Sequence, residues 1–339
     1  MVQTPEKGDS GSKVTPSKMT TPMRISSLGI FLTRKCNFNC IYCSSQTGPD
    51  PPDKLTLAEL MRLLDEAVEL GIKWVIIPGE GEVLLDENLF PFLRYATSKG
   101  LRSKLYTNGS LLDEEAARRL FGLGTGVVFK LNSFNPHVQD ELNGRPDSHQ
   151  WVEFQYEEVK RTSVKQIPMG LRLLFDAGYR GRSRPWGRQS LLQLESVITR
   201  TNAADILEIA RFARALRLDF LVETVIPTRS GGGDFDRFAL SHEEERQLYQ
   251  SLSRILGWRF RFQQRIRCRF ETNPFVDVRG DFRFCYGLAG QIGNIRDLPL
   301  SVLHRKCQIL RRDLALRTPP FTFRRGFRLC AARVAHGIR

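Results

Sequence analysis

The 339-residue chain has no apolar run approaching the ~18–20 residues of a membrane span, which excludes an integral helical membrane protein. Its first 23 residues are rich in Ser, Thr, Pro, Gly and Lys and hold no apolar stretch of signal-peptide length. They read as a disordered tail over residues 1–23, export is not expected, and a cytoplasmic location is. Cysteine is sparse. Seven thiols in a compartment that keeps them reduced do not make a disulfide scaffold, so they are buried apolar residues, reactive thiols or metal ligands. Acidic residues are nearly missing from one region: residues 254–339 carry 5 Asp+Glu against 19 Lys+Arg, whereas residues 1–253 carry 32 of each. The formal charge of +14 therefore sits in the last quarter of the chain. Aromatics such as Trp258, Phe260, Phe262 and Phe270 interleave it, as in a nucleic-acid groove. No recognised nucleic-acid motif accompanies the charge, so nucleic acid is disfavoured against an acidic protein partner or an anionic substrate.

What is present is an ordinary globular composition, 41% hydrophobic and 26% charged, long enough for one large core or two domains. Short apolar strands are expected over residues 27–33, 73–77, 101–106, 127–131, 192–198 and 220–225. Helices are expected between them over residues 56–70, 87–98, 113–121, 152–177 and 202–216, with a last one over 241–255. Thr56 and Glu59 stand at capping-box spacing. Asn202 reads as the N-cap of its helix. Residues 180–188 read as a basic loop and 229–234 as a flexible one. Six strands alternating with helices predict a parallel sheet whose functional loops lie at the strand C-terminal ends.

The sharpest feature is Cys36-x3-Cys40-x2-Cys43, directly after the first strand. Three thiolates so close in sequence wrap one side of a metal centre, as in chains that hold iron–sulfur clusters. A closed structural zinc site asks for four ligands, and no His or fourth Cys lies nearby. A four-iron cube held by three cysteines keeps one iron open for a small molecule.

Cys36, Cys40 and Cys43, with Tyr42 before the last, resemble the motif of the radical S-adenosylmethionine (radical SAM) enzymes. The resemblance covers roughly residues 25–230 and implies a partial (βα)6 TIM-like barrel. It also implies a [4Fe-4S] cluster that binds S-adenosyl-L-methionine, reductive cleavage to a 5′-deoxyadenosyl radical, and hydrogen abstraction from a substrate. Gly79-Glu80-Gly81-Glu82 looks like the family's Gly-Gly-Glu segment, whose backbone pairs with the methionine amine. Here Glu80 replaces a Gly and Val83 the usual following Pro. Asn108, in Thr107-Asn108-Gly109, stands where relatives carry the same TNG, and Lys130-Leu131-Asn132-Ser133 stands where they carry Ser-Leu-Asp. On that resemblance Tyr42, Gly79 to Glu82, Asn108, Asn132 and Ser133 are expected to contact the cofactor. Lys130 either pairs with the cofactor carboxylate, reaches the substrate, or snorkels off a strand end.

The remaining cysteines are Cys268, Cys285, Cys307 and Cys330. Cys268-x11-Gly280-x4-Cys285, followed by Gly293-Asn294-Ile295, resembles the opening of SPASM or shorter twitch domains, which hold auxiliary clusters. A hairpin turning at Arg279-Gly280-Asp281 would bring Cys268 and Cys285 together. A small α+β twitch-like domain with a second [4Fe-4S] cluster is therefore expected within residues 241–339, behind a barrel over 24–240. Cys330 is expected as a further ligand. Cys307 is a fourth ligand, a hydrogen-atom donor, or a buried helical residue; without it as ligand the cluster is three-coordinate and open to substrate. The basic last quarter is then expected to tune that cluster and steer an acidic electron donor such as a flavodoxin or ferredoxin. Catalytic candidates are Lys130, Glu223 and Cys307. The substrate is expected to be a small polyol or sugar, dehydrogenated or epimerised; the alternatives are maturation of a ribosomal peptide, RNA modification, and a non-enzymatic iron–sulfur or zinc module that binds nucleic acid.

Overall fold

The computed structural model describes residues 26–43, 45, 47–159, 162–180, 190–225, 235–257, 274–283 and 291–317, and all that follows concerns these. In chain order the first half runs β1 (Ser27–Ile30), α1 (Leu57–Glu69), β2 (Trp74–Ile77), α2 (Leu89–Ser98), β3 (Arg102–Thr107), α3 (Glu114–Gly122), β4 (Gly126–Lys130) and α4 (Pro136–Asn143). Next come β5 (Trp151–Glu153), β6 (Gln166–Pro168), α5 (Met169–Asp176), β7 (Leu192–Ile198), α6 (Ala203–Ala215) and β8 (Asp219–Thr224). The chain continues with α7 (Phe235–Phe238), α8 (His242–Leu256), β9 (Phe275–Val276), β10 (Asp281–Arg283), β11 (Gln291–Asn294) and α9 (Leu300–Arg317).

Strands β1, β2, β3, β4, β7 and β8 lie side by side in that order, every neighbouring pair parallel. This is the parallel sheet that the alternation of elements predicts, in the partial (βα)6 arrangement that the family resemblance implies. Strand side chains alternate with period two. Val75, Ile77, Leu105, Val127, Phe129 and Leu194 join the main apolar core. The opposite parity, Tyr106, Val128, Lys130, Glu195, Val197 and Glu223, lines an inner cavity.

Local chemistry explains the elements. Thr56 and Glu59 form the capping box of α1, and its buried Leu60, Leu63, Leu64 and Ala67 recur at helical spacing. Ser241 and Glu244 cap α8 in the same way.

The structure departs from the expected helix over residues 152–177. That stretch is the antiparallel hairpin β5–β6 followed by α5. Pro168 is the reason: it has no N–H to donate inside a helix, so it closes β6 and stands at the N-cap of α5. A helix that the periodicity did not suggest, α4, is set by Asn135 as N-cap, Pro136 in the first turn and Gly144 in the left-handed conformation.

The hairpin expected around Gly280 is present: β9 pairs antiparallel with β10, and Gly280 has φ +89°. It extends the sheet, since β9 runs parallel to β1 at its outer edge and β11 follows β10. Arg296 ties this extension to α1 through Glu59 at 2.5 Å, and holds the Glu59 carboxyl down at about 2. The expected tail over residues 1–23, the basic loop beyond Arg180 and the flexible loop at 229–234 lie outside the described residues, as do Cys268, Cys285 and Cys330. No helix among the described residues is long and apolar enough to cross a membrane.

Candidate active site

The C-terminal ends of the six parallel strands open on a cavity of about 160 Å³. Cys36, Cys40 and Cys43, from the segment after β1, line it together with Gly79 to Glu82 after β2 and Tyr106 to Asn108 at the end of β3. Val128 and Lys130, Glu195 and Val197, and Glu223 to Val225 complete the wall from β4, β7 and β8.

The cysteine segment has no regular structure of its own, so its shape comes from its neighbours. Thr33 Oγ1 and Arg34 N both donate to Asp50 Oδ1, at 2.8 and 2.7 Å, and Asp50 also accepts from Lys54 at 3.0 Å. On the other side, Asn39 N and Ile41 N donate to the carbonyls of Asn143 and Leu142 at the end of α4. Asn108 Nδ2 donates to Asn37 Oδ1 at 2.9 Å, and Arg145 donates to the Asn37 carbonyl at 2.8 Å.

The segment after β2 is pinned as closely. Glu82 N donates to the Lys35 carbonyl at 2.7 Å. A Cβ on Gly81 would lie 2.2 Å from that same oxygen, so only glycine fits. The buried Glu82 carboxylate accepts from Thr107 Oγ1 at 2.7 Å, Asn108 N at 2.8 Å and Leu84 N at 3.1 Å. Burial pushes its pKa up and these three donors pull against that.

The three thiols are only partly buried and face one cavity. Among the described residues no three His, Cys, Asp or Glu could hold a single metal ion. A four-iron cluster spreads its thiolates over separate irons, and so suits three ligands that share a cavity without converging on one point. Burial raises the Cys36 thiol and pushes Cys40 up to about 12. Thiolates there need a positive partner, which iron supplies. The donor set therefore fits a cluster.

Residues 30–171 match the model of the Radical SAM superfamily. Over that stretch the chain is similar to radical SAM domains. A relative with the same likeness is the AdoMet-dependent heme synthase of Methanosarcina barkeri, 34% identical over 117 residues, which are 34% of this chain and 33% of that protein. The mycofactocin maturase MftC of Mycolicibacterium smegmatis is 24% identical over 65% of this chain and 50% of its own length. This chain thus spans between a third and half of these curated relatives. The solved structure of Streptococcus suis SuiB bound to its precursor peptide SuiA matches with a TM-score of 0.61 at 15% identity, over 83% of this chain and 65% of that one. That likeness is one of fold.

The structure does not place all the residues expected from sequence in the cavity. Cys36, Cys40, Cys43, Tyr42, Gly79 to Glu82, Asn108, Lys130 and Glu223 line it together. Asn132 and Ser133 lie behind the wall, fully buried. Asn132 Nδ2 donates to the Tyr42 hydroxyl at 2.7 Å while its Oδ1 accepts from Val197 N at 2.9 Å. Ser133 Oγ donates to Asp205 at 2.6 Å. Cys307 is fully buried in the main apolar core on α9, away from the cavity. Asn202 does not cap α6 with its side chain; it accepts from Thr199 and donates to the carbonyls of Asn132 and Val197.

Two ionisable lining residues were not picked out from sequence. Glu195, mid-strand in β7, pairs with Lys130 at 2.9 Å, and the two are direct register neighbours. Tyr106 projects into the cavity from β3. The signal for Glu195 was a carboxylate inside an otherwise apolar strand pattern, Leu-Gln-Leu-Glu-Ser-Val-Ile. Burial alone would lower the Lys130 ammonium; Glu195 and Glu223 outweigh it and hold the pKa raised. The Glu195 charge and burial together push Glu223 up against the pull of Lys130.

Proposed function

We propose that the chain is a radical SAM enzyme acting on a peptide. The observation that carries this is the convergence of Cys36, Cys40 and Cys43 with the Gly79–Glu82 segment on one cavity at the strand C-terminal ends. Cys36, Cys40 and Cys43 would hold a [4Fe-4S] cluster, and Gly79 to Glu82, Tyr42 and Asn108 would border S-adenosyl-L-methionine. When bound, the cluster and cofactor supply a 5′-deoxyadenosyl radical that abstracts hydrogen from the substrate.

The chain's own residues do the positioning. Glu82 staples the β2 loop to the end of β3, and its backbone N–H grips the cysteine segment at Lys35. Asn132 anchors the Tyr42 hydroxyl, while Gln139 accepts from the Asn132 N–H and Asn202 donates to its carbonyl. Lys130 and Glu223 stand at the floor of the cavity, where a substrate would meet them. Cys307 keeps the role of a buried helical residue.

A peptide substrate is favoured over the polyol first expected, because MftC is a maturase and SuiB is seen with a precursor peptide. The reading extends to residues 241–339 as an auxiliary-cluster domain with Cys268, Cys285 and Cys330 as ligands, and to an acidic electron donor that meets the basic last quarter. The test is anaerobic purification of the full chain with iron and sulfide quantified. Two clusters require about eight irons. Replacing Cys268 and Cys285 by Ala should halve the iron and leave the Cys36/Cys40/Cys43 cluster signal; unchanged iron would refute the auxiliary site.

A further inference from the structure

The chain is basic, yet its cavity is acidic. Glu80, Glu82, Glu195 and Glu223 line it against Lys130 as the one ammonium among the described lining residues. Glu82 is spent on Thr107, Asn108 and Leu84. What remains on the floor is a three-strand arrangement. Lys130 on β4 is the register neighbour of Glu195 on β7, and Glu223 on β8 sits opposite Val197, one diagonal step from Glu195.

Lys130 neutralises one of these two carboxylates through the 2.9 Å ion pair with Glu195. The second, Glu223, has no ion pair of its own among the described residues and stands one diagonal step from the Glu195 charge, which pushes its pKa up. Their accessibilities differ. The Glu195 side chain is 4% exposed, whereas Glu223 is an exposed residue of the edge strand β8. Tyr106 faces both from β3, and its hydroxyl has no hydrogen-bond partner among the described residues. Among the described residues, a carboxylate without an ion pair of its own and a phenol oxygen without a hydrogen-bond partner thus share one wall of the cavity as acceptors.

We propose that Glu223, with Tyr106 beside it, receives a positively charged amine or guanidinium group of the substrate. This rests on the cavity being the radical SAM substrate site. The cation pairs with Glu223, leaves the Lys130–Glu195 pair intact, and donates a further hydrogen bond to Tyr106 Oη. An anionic group meets the same carboxylates and is rejected.

The experiment uses the full chain with its cluster and S-adenosylmethionine, held anaerobic, and measures binding of n-butylammonium, n-butanol and n-butyrate by calorimetry. Butylammonium should bind about tenfold tighter than butanol, with butyrate the weakest. Glu223→Gln should collapse the preference between butylammonium and butanol, and Glu223→Asp should retain part of it. Far-ultraviolet circular dichroism checks that the variants fold; if Glu223→Gln does not, the wild-type series and Glu223→Asp still decide. The proposal is overturned if butylammonium fails to bind, if butanol or butyrate binds as tightly, or if the preference survives in Glu223→Gln. Failure of the radical SAM reading would show elsewhere, as wild-type protein without iron or without 5′-deoxyadenosine.

Discussion

Replacing Lys130 by Met removes the cation that keeps Glu195 and Glu223 compatible. The Lys130 side chain is 26% exposed and that of Glu195 is 4% exposed, so the pair is largely withdrawn from water. Removing one partner of such a pair costs about 3 kcal/mol, because it leaves an uncompensated charge rather than because the pair itself is strongly stabilising. The cost must depend on pH. Without Lys130, Glu223 loses the group that pulls its pKa down, and that pKa rises further above its unfolded value. A folded state with raised carboxyl pKa values binds more protons than the unfolded chain, so its stability falls as pH rises through the raised values. Each unit of elevation is about 1.4 kcal/mol. Urea titrations of the reduced protein at pH 5 and pH 8 should therefore show Lys130→Met mildly destabilised at the lower pH and destabilised by the full amount at the higher. The double variant Lys130→Met/Glu195→Met should recover most of the loss, since an apolar pair replaces a half-broken ionic one. Equal destabilisation at both pH values, or a double variant no more stable than Lys130→Met, would refute the reasoning.

Other outcomes follow from the same structure. Gly81→Ala would drive a Cβ into the Lys35 carbonyl at 2.2 Å, so the β2 loop and the cysteine segment must separate; iron bound per chain should fall sharply while circular dichroism is retained. Asn132→Ala strands the buried Val197 N–H and the Tyr42 hydroxyl and should cost about 2–3 kcal/mol in urea titrations. Arg296→Ala frees Glu59 and should cost no more than about 1 kcal/mol at neutral pH, because the pair is partly exposed. The Glu59 carboxyl is depressed to about 2, so this contribution is present above the ordinary carboxylate range and disappears as pH falls toward 2; acid titration of wild type against Arg296→Ala should converge there.

Much of the barrel was legible because its signals are local. The strands over Trp74–Ile77 and Leu192–Ile198 are short apolar blocks, and the Thr56/Glu59 box announces α1. The cysteine spacing marks the site outright, since three thiols in eight residues have few other uses. The failures are also physical. Periodicity across residues 152–177 suggested one helix, whereas Pro168 forbids it, and local chemistry overrode the pattern. Asn132 and Asn202 carry no sequence mark of being joined: their hydrogen bond spans 70 residues and exists only once β4 and β7 pair. Glu195 was missed for the same reason. Its partner Lys130 is set opposite it by sheet register, which a single sequence does not display. Cys307 shows the converse, a chemically capable residue that the fold encloses in the main apolar core.

The most direct test of the account is whether Cys36, Cys40 and Cys43 confer reductive cleavage of S-adenosylmethionine. Anaerobically reconstituted full-length protein, reduced with dithionite, should release 5′-deoxyadenosine and methionine in equal amounts, and the Cys36→Ala/Cys40→Ala/Cys43→Ala variant should release none. A wild-type chain that carries iron yet yields no 5′-deoxyadenosine, or a folded triple variant that still yields it, would contradict the account.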